Sequence, residues 1–216
     1  QAATELQMVC DPTQGVKELI VALKEKLKEE PGSIKRITKR KSQIAQEHKL
    51  LRQAQRESWK EKWDSIPIST GRMTYELFQA VKDKPWVLPV RNHRSFPEGI
   101  WEFTESGQYL GADGGGGVGY GPAAAVGAAL VYRERGKIPI AIMGDGDFQM
   151  GSGAIWTAVH YKIPILIVIN NNNSWGNDEF HQRNIARKRG RPVENAWIGQ
   201  RMVEPATDYA SIVRGY

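Results

Sequence analysis

The stretch "GDGDFQMGSGAIWTAVHYKIPILIVINNNN", Gly144 to Asn173, decides the fold. An aspartate stands between two glycines at the end of one apolar run, and a block of asparagines closes the next. Asn and Gly weaken strands, so both tails read as loops that buried strands deliver to a chosen place. The runs are "IPIAIM" (Ile138 to Met143) and "IPILIVI" (Ile163 to Ile169), each suited to a buried parallel strand. Between them Ile155, Ala158 and Val159 mark a helix starting after Met150, expected over about 151–161. Strand, helix and strand joined by a right-handed crossover predict an α/β fold: an open parallel sheet with helices on both faces.

In such a sheet both runs end on the same edge, where open α/β sheets bind ligands. Asp145 and the asparagines at 171 to 173 should therefore be neighbours in space. Asp145 offers a carboxylate, an Asn side chain a neutral carbonyl oxygen, and a loop backbone carbonyl a third oxygen. Ligands of that kind suit Mg²⁺ or Ca²⁺, and Mg²⁺ usually completes its shell with substrate phosphates. The helix that follows "GDGDFQ" begins with free N–H groups that attract an anion. Gly144 and Gly146 let the backbone approach closely. A metal and a diphosphate are expected to converge at this turn.

Working outward, the chain has 216 residues, 40% of them hydrophobic and 25% charged, which reads as soluble and globular. A net charge of +6 permits a phosphate-bearing ligand. Cys10 is the only cysteine, so no intrachain disulfide forms and a reducing cytoplasm fits. There is no signal peptide and no apolar run long enough to span a bilayer. The chain starts on Gln1 and stops at Tyr216, just after the helix-like "DYASIVRGY", so a piece of a longer protein is expected.

Residues 1 to about 64 are polar and charged. Val16, Leu19, Ile20, Leu23 and Leu27 predict an amphipathic helix ending near Pro31-Gly32, and Ile34, Ile37, Ile44 and Leu51 a longer, basic one. "KRITKRK" (Lys35 to Lys41) reads as a solvated helix face, with no nucleic-acid-binding motif beside it. "DSIPIST" is a linker, after which Ser69 or Thr70 could cap a helix carrying Leu77, Phe78 and Val81. "WVLPV" (Trp86 to Val90) is a short strand ending at Asn92-His93.

Competing readings are plain ones. Gly114, Gly116 and Gly119 form G-x-G-x-x-G, but no convincing strand precedes it, as a dinucleotide fingerprint requires. His160 reads as structural. His181, Asp178 and Glu179 lack a zinc motif, and "RNIARKRGR" (183–191) is a solvated helix and turn.

"GDG", twenty-four residues and then "NN" (Asn171, Asn172) resembles the signature of thiamine-diphosphate enzymes. "GGGGVGYGPAAAVGAAL" (Gly114 to Leu130) is similar to the segment that precedes it in the acetolactate synthase and 2-oxo acid decarboxylase family. The resemblance covers about Ile66 to Tyr216. It implies a diphosphate-binding domain over 65–216, and over 1–64 the end of a middle domain plus a helical linker. It implies that Asp145 and Asn172 ligate Mg²⁺ with the Ser174 carbonyl, and that Asp147 and Phe148 lie beside the diphosphate, reached through backbone N–H groups. The family often has a small or hydroxyl residue where Asp147 stands; capping the helix is the other role open to this aspartate. Val118 would bend the cofactor from beneath, the Gly116 carbonyl would accept from its aminopyrimidine, and Asn92 and His93 could touch the diphosphate. Trp175, Asn177 and Asp178 would line the substrate pocket. The implied reaction is decarboxylation of a 2-oxo acid, with protonation or carboligation following, and diketone cleavage as a variant. The family's activating glutamate comes from a separate pyrimidine-binding domain, usually across a subunit interface, so no catalytic residue is expected in this chain and a homo-oligomer is. The rivals are a nucleotide-dependent oxidoreductase using the glycine run and a non-enzymatic basic binding module. Neither a nucleic-acid nor a membrane partner is expected.

Overall fold

The computed structural model describes residues 5–92, 99–111 and 117–216, excepting the side chain of Asn92. His93 and Gly116 lie outside the described residues. The chain divides into two compact units, residues 1–58 and 59–216.

The first unit is helical. Helix α1 (Pro12–Glu29) starts on an Asp11 cap whose carboxylate accepts from Gln14 N at 2.9 Å, with Pro12 in the first turn. Glu30 ends it, and Pro31 opens α2 (Pro31–Lys60), which runs on beyond this unit. The spacing of the apolar residues is helical as expected, but Val16, Leu19, Ile20, Leu23, Ile34, Ile44 and Leu51 are all exposed. The basic run from Lys35 to Lys41 is exposed throughout.

The second unit holds the sheet. Ser69 caps α3 (Thr70–Val81), accepting from Arg72 N at 3.2 Å. The strands are β1 (Trp86–Asn92), β2 (Ile138–Gly144) and β3 (Leu166–Asn170), all parallel, in the order β1-β2-β3. Pro89 lacks an N–H for the ladder, and the register of β1 against β2 shifts between Val87 and Val90. β2 is central and buried from Pro139 to Met143. Strand side chains alternate between faces. Ile140 and Ile142 accordingly join Phe78, Val81, Trp86, Leu88 and Trp101 on one face, under α3. Ala141 and Met143 join Val90, Ala125, Phe148, Ile155 and Tyr209 on the other. That second face is covered by α4 (Tyr120–Arg133), α5 (Asp145–Gly151), α6 (Ala154–His160) and α8 (Tyr209–Arg214), while α7 (Gly176–Lys188) has no buried residue.

Two boundaries correct the sequence reading. The helix expected over about 151–161 is α6, from Ala154 to His160, and it is preceded by a second short helix, α5, that begins at Asp145 directly off the strand. A Cβ on Gly151 would lie 2.6 Å from the Gly119 carbonyl and 3.0 Å from Pro122, so the end of α5 packs where only glycine fits. The strand expected from Ile163 starts at Leu166 instead. Ile163 N still donates to Ala158 O at 2.8 Å, closing α6, and Pro164 has no N–H to offer a ladder.

Candidate functional site

Register pairs Gly144 with Asn170, so the two strands end side by side and release their loops on the same edge. Asp145 is the first residue of α5 and only 2% exposed. Burial pushes its carboxyl pKa up; the backbone N–H groups of Gly146, Asn173, Asp145 itself and Ser174 act in the opposite direction. Those contributions from Asn173 and Ser174 show that the two loops meet, as the topology predicted. One oxygen, Oδ2, is buried without a hydrogen-bond partner among the described residues. A buried carboxylate oxygen with no donor is costly unless a positive charge answers it.

The loop after β3 is a run of small turns. Asn171 Oδ1 accepts from Asn173 N at 2.9 Å, and Asn172 Oδ1 from Ser174 N at 3.0 Å. These are side chains mimicking backbone turns. Asn173 takes a left-handed φ of 53°, which asparagine tolerates. The loop is then pinned from outside by a short antiparallel bridge: Met202 N donates to Asn173 O and Trp175 N to Gln200 O, both at 2.8 Å. Among the described residues no hydrogen bond falls on the Ser174 carbonyl. The Ser174 hydroxyl donates to Glu179 Oε2 at 3.2 Å, and Glu179 is paired with Arg183 and, at 3.9 Å, with Arg201. Sequence reasoning missed this support, because an antiparallel bridge across some twenty-five residues leaves no periodic signal.

The donor set therefore fits a hard divalent cation: one buried carboxylate with an orphan oxygen, an amide oxygen with a second lone pair, and a free backbone carbonyl. Among the described residues no three of His, Cys, Asp and Glu gather as a metal group. A cation at this turn would rest on amide and carbonyl oxygens besides Asp145.

The other expected residues are placed as follows. Phe148 is fully buried and packs edge-on against Tyr209 at 5.7 Å, so its side chain belongs to the core. Gly144 is extended, with open space where a Cβ would be. What approaches Gly146 closely is the indole of Trp175: a Cβ there would lie 2.5 Å from the ring. Trp175 thus covers the Asp145 turn, while Asn177 and Asp178 are exposed on the first turn of α7. Val118 is 47% exposed in the turn before α4. Asn92 ends β1 on the same edge, paired with Met143.

Asp147 does not cap its own helix; Gly144 holds that position. Its Oδ1 accepts from Gly119 N at 2.6 Å and, at the long distance of 3.5 Å, from Gly121 N. The start of α4 is where a dinucleotide's pyrophosphate would sit if the glycine run were a fingerprint. A protein carboxylate already holds those N–H groups.

An apolar groove of about 920 Å³ runs along β3 between α6 and α8, walled by Ile155, Ile167, Ile169 and Tyr209 among others; Asp145, Asn172 and Ser174 take no part in it. No helix among the described residues is long and apolar enough to cross a membrane.

Residues 92–216 match the family described as thiamine pyrophosphate enzyme, C-terminal TPP binding domain. The chain is 29% identical over 127 residues to the acetolactate synthase large subunit of Buchnera aphidicola subsp. Schlechtendalia chinensis, covering 56% of this chain and 22% of that protein. It is 39% identical over 75 residues to a benzoylformate decarboxylase of Pseudomonas aeruginosa, covering 35% and 14%. Among solved structures it resembles a thiamine diphosphate-dependent 4-hydroxybenzoylformate decarboxylase of Rhodococcus jostii RHA1, at a TM-score of 0.52 and 27% identity over 66% of this chain and 26% of that one. A benzoylformate decarboxylase of Polynucleobacter necessarius shares the fold, at a TM-score of 0.58 and 22% identity over 70% and 27%. The chain thus spans roughly a quarter or less of the length of these relatives. The matched segment contains both loops of the sheet edge, and the chain belongs to the thiamine pyrophosphate enzymes, of which it carries the C-terminal cofactor-binding domain.

Proposed function

We propose that this chain holds Mg²⁺ and thiamine diphosphate for an enzyme of the acetolactate synthase and decarboxylase type acting on a 2-oxo acid. The observation that carries the reading is the buried Asp145 carboxylate, with its unpartnered Oδ2, beside the Asn172–Ser174 loop. Asp145, Asn172 and the Ser174 carbonyl would hold the cation, and the backbone N–H groups of residues 146–148 would face the diphosphate. Val118, with Gly116 before it, would lie under the rest of the cofactor, and Asn92 and His93 beside the diphosphate. When bound, the cofactor would supply a carbanion nucleophile and an electron sink for the decarboxylation of a 2-oxo acid. The residues of this chain bind and orient: Trp175 screens the Asp145 turn from water, and with Asn177 and Asp178 it forms one wall of the substrate site. Residues 65–216 form the diphosphate-binding part and residues 1–64 lead into it. Activation by a glutamate would come from a pyrimidine-binding domain of a partner subunit in a homo-oligomer.

The oxidoreductase reading is weakened by Asp147, whose carboxylate stands on the N–H groups a dinucleotide would need. Calorimetric titration of the chain decides between the classes. Thiamine diphosphate should bind with Mg²⁺ and not with EDTA, while NADP⁺ and duplex DNA should give no saturable heat. Saturable NADP⁺ binding, or salt-sensitive DNA binding through residues 1–64, would overturn the proposal.

A further inference from the structure

We infer that Asp147 is a positioning residue: its carboxylate locks the Val118 turn to the Asp145 turn and so sets the cofactor's organic portion relative to its diphosphate. This rests on the function proposed above. Helix α4 has no cap of its own, because its N-cap is Gly119, at φ 89° and without a side chain. The first N–H groups of a helix lack partners and carry partial positive charge. Asp147, 28 residues further on and only 6% exposed, supplies the missing acceptor at 2.6 Å from Gly119 N.

The space for that carboxylate is cut by another glycine. A Cβ on Gly121 would lie 2.0 Å from Asp147 Oδ2 and 3.1 Å from its Cγ. The carboxylate and any side chain at 121 therefore exclude each other. Val118 adjoins the anchored Gly119, and Asp145 lies two residues before Asp147 in α5. One side chain thus ties together the two turns that would grip opposite ends of the cofactor. Neither spacing nor composition announces this tie, since its partners are 26 and 28 residues apart.

The test compares the parent chain with Asp147→Ser, Gly121→Ala and the double variant, titrated separately with Mg²⁺–thiamine diphosphate and Mg²⁺–pyrophosphate. Pyrophosphate needs only the Asp145 turn; the whole cofactor needs both turns. Asp147→Ser should weaken thiamine diphosphate about tenfold or more, the scale of a lost charge-assisted hydrogen bond. Pyrophosphate binding should not weaken with it, because the substitution keeps the backbone N–H at 147 and removes a negative charge that disfavours an anion. Gly121→Ala should reproduce that pattern by displacing the carboxylate, and the double variant should be no worse than the poorer single one. Asp147→Asn, which keeps the Oδ1 acceptor, should restore most of the affinity. Equal losses for both ligands, additive losses in the double variant, or no loss in Asp147→Ser would overturn the assignment. A parent that binds neither ligand would sink the proposed function. The tie would still be judged by unfolding: Gly121→Ala should destabilise the parent and be harmless in the Asp147→Ser background, and the same cost in both would refute it.

Discussion

The turn after β2 is buried, whereas the loop after β3 runs from exposed at Asn171 and Asn172 to half-buried at Asn173 to Trp175, although register pairs Gly144 with Asn170 at their bases. β2 is flanked by strands on both sides, and its turn runs straight into a helix packed on the core, so Asp145 and Asp147 are both buried. β3 is the outer strand of the three, and its loop satisfies its own polar groups through Asn171 and Asn172. The consequence is a division of labour. The β2 turn carries buried carboxylate oxygens without a donor, whereas the asparagine side chains of the β3 loop are satisfied within it, so in the proposed site the first would meet the cation's charge and the second would lend neutral oxygens. Inside the turn itself Asp145 Oδ2 and Asp147 Oδ2 are both buried without a partner among the described residues, and the difference lies in the other oxygen of Asp147, Oδ1, which holds a helix start.

The largest effect expected from this contrast is on binding. Asp145→Ala removes the only carboxylate of the proposed cation site and should abolish Mg²⁺-dependent binding of thiamine diphosphate without unfolding the chain. Asn172→Ala removes a neutral oxygen and the acceptor for Ser174 N, which should cost about 1 kcal/mol, or roughly five- to tenfold in affinity. Calorimetry on both variants checks the ranking, and equal losses would break the comparison. Next comes Gly146→Ala. The added Cβ would meet the Trp175 ring at 2.5 Å, and overpacking of this kind costs about 1–3 kcal/mol. The ring must move, so tryptophan fluorescence should change along with the melting temperature. Trp175→Ala in the same chain should relieve most of the loss.

The sheet is legible in the sequence because it is written in local terms. "IPIAIM" and "IPILIVI" suit buried strands, and two buried parallel strands force their loops to one edge. The meeting of Asp145 with the asparagine loop follows from that alone. What stays hidden depends on contacts between distant segments. The Asp147–Gly119 bond, the pinning of residues 173–175 by residues 200–202 and the Trp175 ring over Gly146 leave no periodic trace. A short helix before the expected one goes unread, because "GDGDFQ" looks like a loop while its acidic residues at 145 and 147 fall in a first helical turn. The apolar spacing of residues 16–27 predicts a helix, yet its stripe is exposed. Periodicity reports which side chains share a face, not what covers that face.

A smaller effect concerns pH. Burial raises the Asp145 pKa, so the fold favours the protonated form. The group's contribution to stability is complete below the unfolded carboxylate pKa of about 3.9 and is lost as pH rises through the raised folded value. In EDTA, Asp145→Asn should therefore gain stability on the parent as pH increases through that window. Saturating Mg²⁺ and diphosphate should reverse the order, since they bind only the carboxylate form. Melting curves at a series of pH values, with and without the cation, read both signs; a parent that outlasts the Asn variant in EDTA would show that Asp145 is already satisfied.

The smallest effect separates the two ways in which the β3 loop is held. Arg201 sits beside Glu179 at 3.9 Å and over the Trp197 ring at 5.4 Å, with about half of its side chain exposed. The Glu179 side chain is only 12% exposed, but the pair is at the outer limit of contact and salt reaches its arginine end, so it contributes roughly 0–1 kcal/mol. The loop itself is pinned by backbone hydrogen bonds from Trp175 and Met202, which no side-chain substitution at 201 removes. Glu179 also keeps Arg183 as a partner. Arg201→Ala should therefore lower stability by less than about 1 kcal/mol. The difference should vanish in high salt, and Mg²⁺–thiamine diphosphate affinity should stay unchanged. A large, salt-resistant loss of affinity would mean that the side-chain network, and not the backbone bridge, presents the Ser174 carbonyl to the site.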